Sequence, residues 1–185
     1  MDNRPLKNAP RLRGHSAHPP LTDFPIALLA ISLVWDIVAL ASGNDIWWQF
    51  AFWSQVAGLI AVVPTALTGF IEYIVLPDGH PASGTATRHM LVMISATLPY
   101  IGSVAVRGGT EAPEGSILVL AVVLNVVGLA LLLVGGWLGG ELVSRHGLGT
   151  TAETNTVPSE ANPEDVVPRS NQHAPGNAMP RGSKQ

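Results

Sequence analysis

Gly135-Gly136-Trp137-Leu138-Gly139-Gly140-Glu141-Leu142-Val143-Ser144-Arg145-His146-Gly147 closes an apolar run that begins at Ser116 and meets no charge before Glu141. The 25 uncharged residues of this run, rising about 1.5 Å each in a helix, cover a hydrocarbon core about 30 Å thick. Gly135 with Gly139, and Gly136 with Gly140, are interleaved small-xxx-small pairs, through which helices in lipid approach closely. Glu141, Arg145 and His146 follow at the depth where such a helix leaves the bilayer. This reads as a spanning helix.

The composition of the whole chain agrees. Of its 185 residues 47% are apolar and only 12% charged, about half the charged share of a soluble domain. A net charge of −3 implies no nucleic-acid partner. The chain has no cysteine, which excludes disulfides, cysteine-ligated iron–sulfur clusters and thioether-linked haem. A bound metal or haem would have to use His, Met or carboxylates.

Outward from the last run, three more apolar blocks appear: Phe24 to Ser42, about Ile46 to Leu76, and about Met90 to Val106. The second and fourth are long enough to span unaided. The third, 17 uncharged residues with Pro99 inside, stands at the lower limit, and the first spans only if Asp36 is accommodated. Basic residues before the first block and Ala39-Leu40-Ala41 at its end resemble a cleaved signal, but the polar leader is long and Asp36 interrupts the apolar region. An anchored helix is the expectation.

The expected fold is thus all-α, an integral membrane four-helix bundle over residues 18–149. Residues 1–17 are expected to be a flexible N-terminal segment, and 150–185, rich in Pro, Ser, Asn and Gln without an aromatic residue, a disordered tail. No internal repeat is evident. Lysines and arginines (Arg4, Lys7, Arg11 and Arg13 ahead of the first helix, Arg88 and Arg145 later) concentrate on the side of the termini, with Arg107 assigned to the opposite loop. Both termini are therefore expected in the cytoplasm. Trp47, Trp48 and Trp53 fall near the opposite interface, where indole rings favour the headgroups.

Polar residues inside the apolar blocks carry the chemistry. A carboxylate in a spanning helix costs a few kcal/mol and needs a partner or water. Asp36, three turns after Pro25 on one face, and Glu72, on the face presenting Gly58, have three readings: headgroup water, a proton or ion path, or buried hydrogen bonds. Asn125, three turns before Gly136, can bond across the glycine interface. Glu141 and Arg145 are spaced for a helix-stabilising ion pair.

The histidines are more telling. In a four-span bundle His15, His18, His80, His89 and His146 all lie on the side of the termini. Imidazoles from separate helices can ligate haem, copper or zinc, and two facing ones suffice for a six-coordinate haem b. The competing reading is a set of ordinary hydrated interfacial histidines.

His18-Pro19-Pro20-Leu21-Thr22-Asp23-Phe24-Pro25-Ile26-Ala27-Leu28 and Gly136-Trp137-Leu138-Gly139-Gly140-Glu141-Leu142-Val143-Ser144-Arg145-His146-Gly147 resemble the opening and closing motifs of the bacterial membrane proteins catalogued as domain of unknown function 2231. The resemblance covers His18 to Gly149 and implies a four-helix domain in the bacterial inner membrane. It also implies that His18, His89 and His146 stand where the family places histidines, with Asp36 and Glu72 at its acidic positions. Some relatives occur beside Rieske-type or cytochrome-like modules, which points to electron transfer. Asp23 departs from the pattern, standing where the family usually has a second histidine.

Two readings follow. One is a redox module binding haem b or a metal through His18, His89 and His146. Arg145 would pair with a propionate, Glu141 would orient an imidazole, and electrons would pass to a separate redox protein. The other is a non-catalytic membrane scaffold or assembly subunit without cofactor. Neither is expected to catalyse a reaction alone. Lipid surrounds the bundle in both, and a homo-oligomer is compatible with both.

Overall fold

The computed structural model describes residues 11–12 and 15–149. The tail from 150 onward and most of the N-terminal segment lie outside the described residues. Four helices follow one another: α1 (His18–Ser42), α2 (Ile46–Ile74), α3 (Ser83–Arg107) and α4 (Gly115–His146). All four are long and apolar enough to cross a membrane. Before them, Arg11–Leu12 and His15–Ser16 form a two-residue antiparallel ladder.

Three of the four helices, α1, α3 and α4, stop at a glycine. Gly43, Gly108 and Gly147 adopt left-handed φ of 65°, 67° and 65° and return their N–H groups to the last turn, a conformation that costs glycine nothing. Pro25, Pro64 and Pro99 are absorbed within helices, as spanning helices tolerate when neighbouring side chains satisfy the backbone. Two spans differ from the apolar blocks. Helix α3 extends to Arg107, which the charge count assigned to a loop, and α1 begins at His18 rather than Phe24.

The helices pack as two hairpins, α1 with α2 and α3 with α4, which meet along α2 and α3 and along α1 and α4. Little bulk lies between them. The core is Leu29, Ala96, Tyr100 and Leu132, flanked by Leu59, Val62, Met93, Leu129 and Leu131. Elsewhere, apart from Trp48, small or polar residues line the inside, while Phe24, Ile60, Leu67, Leu98, Leu133 and Trp137 are exposed on the outer surface. An outer face this apolar suits lipid, whose chains solvate it as well as protein does. Trp35 stacks on Trp47 at 5.3 Å and both meet Phe50, at the end away from the termini.

The hairpins repeat one another, which the sequence did not reveal. Pro25, Leu29, Ser32 and Asp36 of α1 are buried, and so are Ala96, Tyr100, Ser103 and Arg107 of α3, each 71 positions on. Ala51, Gln55, Gly58 and Thr65 of α2 are matched by Ala121, Asn125, Gly128 and Gly135 of α4, each 70 positions on. The packing is repeated too. A Cβ on Gly58 would lie 2.7 Å from Leu29, and one on Gly128 would lie 2.8 Å from Tyr100, the residue equivalent to Leu29. Two hairpins with the same order of crossing are related by rotation about the membrane normal. Identity is lost because only burial is kept: aspartate answers arginine, leucine answers tyrosine.

Candidate functional site

The histidine end is built from the same device used twice. His18, opening α1, donates its Nδ1–H to the Thr65 carbonyl at 3.0 Å, with Thr68 Oγ1 at 3.4 Å. His89, nearly two turns into α3 and 71 positions on, donates Nδ1–H to the Gly135 carbonyl at 2.9 Å. A carbonyl can only accept, so both rings carry a proton on Nδ1, and in the neutral tautomer the lone pair then falls on Nε2. One turn beyond each carbonyl a glycine makes room for the ring. A Cβ on Gly69 would stand 2.7 Å from His18 Cε1, and one on Gly139 3.1 Å from His89 Cε1. The two imidazoles are within electrostatic reach of each other.

The other histidines are arranged differently. His146 ends α4, half-buried and without a hydrogen bond among the described residues. His80 accepts the Ala82 N–H at 3.1 Å and so organises the turn before α3. Only the backbone of His15 is described, in the short ladder. Ser16 donates to Glu72, which fastens that ladder to the end of α2. Asp23 is exposed and takes no hydrogen bond. Glu141 and Arg145 meet at 2.7 Å with Arg145 74% exposed, so the pair adds little to stability. Among the described residues no group of three or more His, Cys, Asp or Glu could hold a metal ion.

Of the glycines in the closing motif, Gly135 and Gly139 face α3, against Met93 and His89, whereas nothing lies within 4 Å of a Cβ on Gly136 or Gly140. One of the two interleaved pairs therefore makes the helix contact.

Toward the other end a polar cluster is buried between the hairpins. Arg107 Nη2 lies 2.6 Å from Asp36 Oδ2, with side chains 1% and 0% exposed. Asn125 Nδ2 donates to the same carboxylate oxygen at 2.7 Å, and its own oxygen accepts from Ser32 at 3.2 Å. Arg107 Nε reaches Ser103 Oγ at 3.3 Å, and its guanidinium lies 5.8 Å from the centre of the Trp48 ring, a cation–π contact. Asp36 thus answers its burial with a partner rather than with headgroup water.

Sequence reasoning named His18, His89, Asp36 and Asn125 but missed Arg107, Gln55, Ser32, Ser103, Thr65 and Gly69. One signal was available: Arg107 follows His89 by 18 residues, as Asp36 follows His18. Among curated proteins and among solved structures nothing matches the chain. A family model does, over residues 14–152, which takes in all four helices and both motifs. The chain belongs to the family described as predicted membrane protein (DUF2231).

Proposed function

We propose that this membrane protein is a small redox module that holds haem b between His18 and His89 and exchanges electrons with a separate partner. The observation that carries the reading is the repeated imidazole seat. In both hairpins a carbonyl fixes Nδ1–H and a glycine one turn on receives the ring edge. Anchoring one ring nitrogen sets the tautomer and direction of the other, as protein ligands of metals are commonly held. The cradle that a Cβ would fill at Gly69 and Gly139 fits an imidazole held still for a ligand.

Two nitrogen donors from separate hairpins would hold a haem iron more readily than zinc or copper, which take three or four protein ligands. When bound, the haem supplies one-electron chemistry, its potential set by axial ligands and surroundings. His18 and His89 would bind, and their carbonyl partners would raise the basicity of both rings. Arg145, exposed at the end of α4 with its Nη1 held by Glu141, would offer a cation to a propionate. His146 would serve as a third imidazole at the rim. The protein would sit in the bacterial inner membrane with both termini in the cytoplasm.

The absorption spectrum of the detergent-purified protein, expressed with haem precursor, tests this. We expect a Soret band that disappears in His18→Ala and in His89→Ala while both variants remain in the membrane. A wild-type protein without the band sinks the reading, and the scaffold reading then replaces it.

A further inference from the structure

The buried cluster at the other end contains polar atoms that no residue satisfies. Asp36 Oδ1, Arg107 Nη1, and both Oε1 and Nε2 of Gln55 are buried without a hydrogen-bond partner. Tyr100 Oη is a fifth, on the face of α3 two turns before Arg107. Gln55 is fully buried and lies on the face of α2 that carries Trp48, whose ring covers Arg107. It therefore faces the same seam.

The repeat explains the defect. Asn125, the equivalent of Gln55, is satisfied by Asp36 on one side and Ser32 on the other. At Gln55 the corresponding partners are engaged elsewhere. Ser103, equivalent to Ser32, donates at 2.9 Å to the Ala121 carbonyl within its own hairpin. Arg107, equivalent to Asp36, spends Nη2 on Asp36 across the seam. Two donors and two acceptors are left facing an apolar surround, where an unmatched polar group is costly.

The chemistry of these four atoms selects their ligand. Asp36 Oδ1 and Gln55 Oε1 accept; Arg107 Nη1 and Gln55 Nε2 donate. The ion pair is neutral as a whole, so an ion of either sign gains little there. A ligand that both donates and accepts in a small space is water, which occupies polar interior sites offering two to four partners. Access exists as well, because Arg107 also lines an open pocket of about 400 Å³ with Gly108, Gly109, Thr110 and Glu111 in the loop before α4. We infer that bound water fills the seam between Asp36, Arg107 and Gln55 and exchanges with the aqueous phase at the α3–α4 loop. The membrane interior is then polar and wet on one side of Tyr100 and dry through the Leu29 and Leu132 layer.

Water-edited solid-state NMR of the full, isotopically labelled chain in lipid bilayers tests this directly. Polarisation from water should reach the side-chain nitrogens of Arg107 and Gln55 as fast as it reaches Glu111, and well before it reaches the Leu29 side chain. Arrival no sooner than at Leu29 overturns the proposal. Gln55→Leu supplies a second arm. In a hydrated seam it removes partners from the water and lowers the thermal midpoint. In a dry seam it removes an orphaned amide, so an unchanged or higher midpoint also overturns the proposal.

Discussion

A single carbon atom at position 69 would strike an imidazole, and one at position 139 would crowd one. That places the most sensitive residues of the histidine end on the helices opposite the histidines. Gly69→Ala and Gly139→Ala should each destabilise the protein, and Gly69→Ala more, because its Cβ would come to 2.7 Å rather than 3.1 Å from the ring. Overpacking of this kind costs about 1–3 kcal/mol. Thermal unfolding followed by circular dichroism checks it; two variants as stable as wild type would show that the rings are free to swing aside. His18 and His89 are legible in the sequence as histidines at helix starts. Their seats are not. Thr65 and Gly69 have the same spacing as Gly135 and Gly139 but lack a second glycine pair beside them, and only packing shows what they receive.

Between helices, one buried charge pair links α1 to α3 across the bundle. Asp36 and Arg107 hold equivalent places in the two hairpins, so the seam is symmetric in position and opposite in charge. Removing one partner of a buried pair leaves an uncompensated charge, which costs about 3–5 kcal/mol and more where lipid surrounds the bundle. Asp36→Arg or Arg107→Asp alone should therefore sharply reduce the protein recovered from membranes. The double reversal, Asp36→Arg with Arg107→Asp, should restore most of it, since rotation about the bundle axis exchanges the two sites. A double variant no better than either single one would show that the surroundings, not the charge pairing, hold the hairpins together. Asp36 is conspicuous in the sequence because it interrupts an apolar block. Arg107 is not, because it follows the end of a marginal one and reads as a loop residue until α3 is seen to carry it inside.

Across the whole molecule, burying Arg107 sharpens the charge asymmetry of the two ends. With Arg107 paired inside, the described loop between α3 and α4 holds Glu111 and Glu114 and no lysine or arginine, and the α1–α2 turn has none either. The end bearing the termini keeps Arg88 and Arg145 beside the N-terminal arginines. Cytoplasmic loops are the ones enriched in lysine and arginine. Reporter fusions after Gly109 and after Gln185 should accordingly report opposite sides of the membrane, the latter cytoplasmic. Activity of both reporters on one side would remove a span or reverse the orientation.

Apolar length by itself determined four helices in a membrane, because without water a chain can satisfy its backbone only along its own helix or in a closed barrel. The same pattern marked which polar residues would need partners, since each interrupts a run that lipid would otherwise favour. Tertiary structure alone decided who those partners are. It set Asp36 against Arg107 across 71 residues of sequence, Gly69 beneath His18, and Gln55 without a side-chain partner among the described residues. It alone exposed the repeat, because the two hairpins share which positions are buried rather than which residues stand there. Hydrophobicity is written along the chain one residue at a time. Complementarity exists only between residues that folding brings together.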